Sequence, residues 1–215
     1  MDVGAWVAHR YRLDARLGRG GLGTTFRAHD ALHDVDVALK LVRGSRARLD
    51  RLRAEFVAVR GAHHPRLVRA RDFGFASVPG AQGAARAGFY TADLVDGVTL
   101  DVFASGRRFE AVARALGHVL GALAFLHRRG WVHGDVHPEN VMVTASGDGV
   151  LLDLSCALPA GTAAEISGRP GFFAPERLEG VVGRGADLFA LGRTLASLEL
   201  RGGLPAAVAR AVDAL

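Results

Sequence analysis

Apolar and polar positions alternate with a period of two through much of the first half of the chain, and helical spacing takes over beyond it. Residues 11–17, Tyr-Arg-Leu-Asp-Ala-Arg-Leu, predict a strand. Thr24, Thr25 and Phe26, which follow a glycine turn, predict its antiparallel neighbour. A third strand is expected over 35–42, a helix over 49–60, a fourth strand over 66–75 and a fifth over 89–95. The Ala/Gly-rich residues 76–88 read as a loop of low order. Asp96-Gly97 reads as a connector, so the boundary falls near residue 96. Residues 1–96 then form a five-stranded antiparallel lobe with one main helix, and residues 97–215 a mostly helical one. The heart of the second lobe is expected to be a helix over 110–129, apolar at Val112, Leu116, Val119, Leu120, Leu123, Phe125 and Leu126. Two short strands are expected at Val141-Met142-Val143 and near Val150-Leu151-Leu152, and two further helices over 187–200 and 204–215. The fold class is α+β.

At 215 residues and 49% hydrophobic, the chain can bury a sizeable core. No apolar run approaches the roughly 18 residues of a membrane span, and the N-terminus lacks the pattern of a signal peptide, so the expected location is cytoplasmic. The single cysteine, Cys156, excludes an internal disulfide and argues against a structural thiolate zinc site. The net charge of +5 rests mostly on arginine. No aromatic residues interleave with these arginines as single-strand binding requires, so no nucleic-acid partner is expected.

Gly18, Gly20 and Gly23 form a GxGxxG pattern. A dinucleotide-binding fold needs a helix directly after such glycines, whereas the β-favouring Thr24-Thr25-Phe26 follows here. The glycines therefore sit in a hairpin whose backbone can lie over phosphates. Lys40 ends the apolar run Val37-Ala38-Leu39, and Glu55 lies in the helix that follows. From these residues alone the lysine either snorkels at a strand end or is buried with a carboxylate partner. The stretch His133-Gly134-Asp135-Val136-His137-Pro138-Glu139-Asn140 carries the most chemistry. Asp135 can take a hydroxyl proton and Asn140 can hold a metal, while the strand ending in Asp153 delivers a second carboxylate. That is the layout of a phosphotransfer centre. The four-residue spacing of His133 and His137 would suit a metal on a helix, but Gly134 and Pro138 argue against one there. His133 is expected to pack and bond backbone near Leu154.

Taken together, these residues resemble the protein kinase fold, specifically bacterial kinases of the eukaryotic serine/threonine type. The glycine loop, the Val-Ala-Leu-Lys strand, the helix glutamate, the catalytic loop and the metal aspartate stand in kinase order. Further on, Gly168-Arg169-Pro170-Gly171-Phe172-Phe173-Ala174-Pro175-Glu176 is similar to the end of an activation segment, and the helix begun by Asp187 to the one that anchors it. The resemblance implies ATP and Mg²⁺ as cofactors and a protein substrate bearing a Ser or Thr hydroxyl. Leu17, Gly18, Gly20, Gly21, Gly23 and Thr25 would cover the nucleotide, and Lys40, paired with Glu55, would hold its α- and β-phosphates. Ala38 and Met142 would sandwich the adenine, with Asp93 and Val95 at its edge and a small gatekeeper, Ala92, behind it. Asp135 would orient and deprotonate the acceptor, and Asn140 and Asp153 would hold the metal.

Four positions depart from the pattern. Gly134 replaces the arginine that grips a phosphorylated activation segment, so activity without that phosphorylation is expected and Thr162 and Ser167 need not be switches. His137 replaces a lysine, so a fixed charge is lost. Arg169 replaces a threonine and is expected to supply the missing charge from the other side. Ser155 replaces the glycine after the metal aspartate. The second lobe is also short for a kinase: either a downstream domain or partner completes it or it is minimal, with Arg201 or Arg210 pairing with Glu176. These departures keep two other readings in view, a pseudokinase serving as a nucleotide-binding regulatory or docking module, and a small-molecule phosphotransferase of aminoglycoside or choline type.

Overall fold

The computed structural model describes residues 2–20, 23–80, 83–154, 156–162, 168–178, 180 and 182–214. The chain divides into two compact units, Met1–His63 with Arg69–Leu94, and His64–Val68 with Val95–Leu215.

The first unit is built from β1 (Trp6–Val7), β2 (Tyr11–Arg19), β3 (Thr24–Asp30), β4 (Val35–Arg43), α1 (Arg46–Arg60), β5 (Ala70–Gly80) and β6 (Gly83–Asp93). Its antiparallel sheet runs β1-β2-β3-β4-β6-β5. The five strands expected from the sequence are β2 to β6, and β1 adds a two-residue edge paired through Trp6 with Arg12 and Val7 with Tyr11. Period-two alternation gives the sheet its two faces. Leu13, Phe26, Val37, Leu39, Leu41 and Phe89 fill a buried core on one face. On the other lie Ala38 and Lys40, and α1 brings Leu49 and Leu52 down onto Gly88.

Residues 76–80 and 83–88 lie in strands, where the sequence predicts a loop of low order. Ala76 pairs with Ala87, Val78 with Ala85 and Gly80 with Gly83, so β5 and β6 form one long hairpin. Alternation persists there in small side chains: Ala76, Val78 and Ala87 belong to the buried core, while Ser77 and Pro79 face solvent. The fourth strand also starts later than expected, at Ala70, because His64–Val68 packs within the second unit. There the Val68 N–H donates to the Leu151 carbonyl (2.9 Å), Leu151 N–H donates to Arg66 (2.9 Å), and the His64 ring lies 5.1 Å from that of Phe125.

The second unit contains β7 (Val98–Thr99), α2 (Leu100–Ala104), α3 (Phe109–Arg128), β8 (Trp131–Val132), β9 (Val141–Val143), β10 (Gly149–Leu151), β11 (Leu158–Pro159), α4 (Pro175–Leu178), α5 (Arg184–Ala196) and α6 (Ala206–Asp213). α3 is its central helix, with Val112, Ala115, Leu116, Val119, Ala122, Leu123 and Leu126 buried at three- and four-residue spacing. Burying each large aliphatic among these contributes about 1.5–3 kcal/mol. Leu120, expected in this stripe, is instead exposed. Contrary to the expectation from the sequence, α3 is long and apolar enough by composition to cross a membrane; in this fold its apolar stripe packs against β8 and β10. β7, β9 and β10 form a small antiparallel sheet, and β8 pairs with β11.

Candidate functional site

In the first unit the glycine turn joins β2 to β3, with Gly18 opposite Thr25 and the Gly20 N–H bonded to the Gly23 carbonyl at 2.9 Å. Gly21 lies outside the described residues. A Cβ at Gly23 would collide with the carbonyl oxygen of Leu41, so this glycine is required by the close approach of β4, while Gly18 and Gly20 face open space. Leu17 is exposed beside them. Lys40 pairs with Thr25 on one side and Tyr90 on the other, is buried, and places its Nζ 6.0 Å from the Tyr90 ring centre. Glu55 lies on α1, and its side chain is outside the described part. Ala38 and Ala70 both pair with the buried Ala92, which puts three alanines in a row across three strands. Asp93 ends β6, its N–H donated to the Arg69 carbonyl (2.9 Å) and its carboxylate bound by Arg71 (2.5 Å).

In the second unit the loop after β8 is fixed by a residue far away in sequence. The Asp187 carboxylate, fully buried on α5, accepts the N–H groups of His133 and Gly134, both at 2.8 Å, and approaches His127 Nε2 at 2.7 Å. His133 is also buried. Its Nε2 lies 2.9 Å from the Leu152 carbonyl and its Nδ1 accepts the Asp135 N–H at 3.2 Å, so the Nε2–H tautomer satisfies both bonds. Its backbone partner near Leu154 is thus Leu152, and neither ring nitrogen is left for a metal. No cluster of three or more metal-ligating His, Cys, Asp or Glu exists among the described residues.

Asp135 stands at the centre. Its Oδ1 accepts the Arg169 backbone N–H (2.9 Å), its Oδ2 accepts Asn140 Nδ2 (3.2 Å), and His137 Nε2 lies 3.7 Å from Oδ2. Burial pushes the Asp135 carboxyl up, but the His137 ring, the Arg169 N–H and His133 together hold it below its ordinary value. It is therefore a carboxylate at neutral pH. Asn140, in a single helical turn over Pro138–Asn140, also donates Nδ2 to the Asp135 carbonyl at 2.9 Å. That orientation leaves its side-chain oxygen for a hard cation, and an amide oxygen with the Asp153 carboxylate suits Mg²⁺, which takes few protein ligands and completes its shell with water and phosphate. Leu152 N–H donates to the Asn140 carbonyl (2.8 Å), and Asp153 follows with φ +52°. Met142 sits mid-strand in β9, paired with Val150, and Val95 follows the end of the first unit.

Arg169 reaches this cluster differently from what its charge predicts. Its Nη1 pairs with Glu139 Oε1 at 2.5 Å, and only its backbone touches Asp135. His137 is buried, its Nδ1 has no partner among the described residues, and its ring lies 5.9 Å from Phe172. Thr162 is partly buried, Ser155 and Ser167 lie outside the described residues, and among the described residues neither Arg201 nor Arg210 pairs with Glu176.

A glycine turn on an antiparallel sheet carrying Lys40, and an Asp/Asn loop pinned to a buried helix aspartate, are parts of one known fold. The model of the protein kinase domain family matches residues 11–207, and the chain belongs to that family. Among similar proteins are the serine/threonine-protein kinases PknL of Mycobacterium tuberculosis, 32% identical over 201 residues, and PkaB of Streptomyces coelicolor, 33% identical over 230. These alignments cover 87% and 95% of this chain but 48% and 53% of the relatives. The kinase pkn3 of Myxococcus xanthus is 31% identical over 221 residues, covering 91% of this chain and 38% of pkn3. The chain thus spans about half or less of the curated relatives it matches.

Proposed function

We propose that this domain transfers the γ-phosphoryl group of ATP, with Mg²⁺, to serine or threonine hydroxyls of a protein, in the cytoplasm where both are supplied. The observation that carries this reading is the Asp135 carboxylate, held by the Arg169 N–H and the Asn140 amide and kept in its basic form. It supports Asp135 as the group that orients the acceptor hydroxyl and takes its proton. Asn140 and Asp153 would hold Mg²⁺, which neutralises charge growing on the transferred phosphoryl group. Lys40, with Glu55, would hold the α- and β-phosphates, and the backbone of residues 17–25, with Gly21 among them, would cover them. Ala38, Met142, Asp93 and Val95 would receive the adenine. His137 would line the acceptor side of Asp135, its ring sharing the Oδ2 edge with Asn140. Positioning and electrostatics supply the rate, since the chain need not form a covalent bond to substrate. Gly134, standing where the family has the arginine that grips a phosphorylated activation segment, supports activity without that phosphorylation.

Radiolabelled ATP with Mg²⁺ tests the reading, with the chain itself, a generic basic protein and small alcohols as acceptors. Label on protein serine or threonine is expected, with Asp135→Asn lowering the rate about 10²- to 10⁴-fold. ATP binding without transfer would overturn it in favour of a nucleotide-binding regulatory module, and label on alcohols alone in favour of a small-molecule phosphotransferase.

A further inference from the structure

We infer that Arg169 is a positioning residue: its side chain, bonded to Glu139, fixes its own backbone N–H on Asp135 and so orders residues 168–172 beside the reacting carboxylate. This rests on the kinase reading above and replaces a direct charge on the phosphate with a mechanical role. Residue 169 bonds the same short loop at two points, Asp135 Oδ1 through its N–H at 2.9 Å and Glu139 Oε1 through Nη1 at 2.5 Å. The two anchor points belong to one rigid piece, because the Asn140 N–H bonds the His137 carbonyl (3.0 Å) and its amide bonds the Asp135 carbonyl (2.9 Å). A single backbone bond would leave the segment free to pivot; the second point removes that freedom.

The surroundings agree. Gly168 has φ +110°, and a Cβ there would stand 2.8 Å from Asp135 Oδ1, so the segment approaches as closely as glycine alone permits. The turn closes through Phe172 N–H on the Arg169 carbonyl at 3.3 Å, and the Phe172 ring lies 6.0 Å from the Arg169 guanidinium and 5.9 Å from the His137 ring. Behind it, the Gly171 carbonyl accepts Arg193 Nε (3.3 Å) from α5, the helix whose Asp187 anchors the loop. With its guanidinium on Glu139, Arg169 stabilises the geometry of the base. Arg169 and Glu139 side chains are 44% and 59% exposed, so the pair adds little to folding stability and its loss is felt where the segment is aimed.

The test combines transfer kinetics with hydrogen exchange on the whole chain. Arg169→Ala and Glu139→Ala are each expected to lower kcat about tenfold with the KM for ATP unchanged within about twofold, to speed exchange of the backbone N–H groups of Arg169, Gly171 and Phe172, and to leave the melting temperature near wild type. Arg169→Lys should restore most of kcat. The exchanged pair Arg169→Glu with Glu139→Arg should recover more than either single change. Wild-type kcat and exchange in Arg169→Ala would overturn the assignment, as would a raised KM for ATP at constant kcat, which marks a direct phosphate contact. If the wild type transfers no phosphate, the kinase reading falls, while faster exchange at residues 169–172 in Glu139→Ala still supports the latch and unchanged exchange rejects it.

Discussion

Replacing Asp187 by Asn should destabilise the second unit measurably although it changes one atom. The carboxylate accepts at both oxygens: Oδ1 takes the Gly134 N–H, and Oδ2 takes the His133 N–H and faces His127 Nε2. An amide offers one oxygen. Whichever way it turns, an NH₂ faces a backbone N–H that has no water, because Asp187 is fully buried. One orphaned buried donor costs about 1–3 kcal/mol. For a chain of this size about 2 kcal/mol lowers the melting temperature by about 4–8 °C. Asp187→Ala orphans both backbone donors and should cost about twice as much. The assay is calorimetric or circular-dichroism melting of the three proteins at one pH, with activity beside it, since the same bonds fix the backbone before Asp135. Melting of Asp187→Asn within about 1 °C of wild type would refute the reasoning.

Other predictions follow from the first unit and from the turn over Asp135. Ala87, fully buried in the hairpin core, should not tolerate charge: Ala87→Asp is expected to destabilise by more than about 3 kcal/mol in urea unfolding, whereas a disordered loop would accept it. The Arg10 hydrogen bond holds Asp30 well below the usual carboxylate range. A depressed folded-state pKa adds stability that is present above the unfolded value of about 3.9 and lost as pH falls below it, so the deficit of Asp30→Asn should be larger near about pH 7 than near about pH 3. A constant deficit across that range would contradict the assignment. Gly168→Ala should lower kcat at least about tenfold by pushing the turn off Asp135, and wild-type turnover would show that the turn can shift without cost.

The parts legible in the sequence were those whose cause is local. Strand periodicity gave β2, β3, β4 and the end of β6, and helical spacing gave α3 within a residue or so of its ends. The octad from His133 to Asn140 could be read because its residue types and spacing are themselves the chemistry. The β5–β6 hairpin was hidden because alanine and glycine carry alternation without the bulk that announces it. Residues 66–68, expected to begin the fourth strand, lie in the second unit because their partners, Leu151 and Asp148, are more than eighty residues away. The Asp187 bond to the loop spans 54 residues, so its composition signals nothing beyond a buried acid in a helix. The Arg169 contact with Asp135 has no signal in the sequence, because it is made by a backbone N–H while the guanidinium pairs with Glu139.

The central claim, that Asp135 lies at a phosphoryl-transfer centre acting on protein hydroxyls, is tested most directly by following label from γ-labelled ATP onto a basic protein under matched ATP binding for wild type and Asp135→Asn. The account predicts phosphate on serine or threonine with wild type and a rate lower by about 10²- to 10⁴-fold in the variant, at unchanged ATP affinity. Equal transfer by both proteins, or no transfer by wild type with ATP bound, would contradict it.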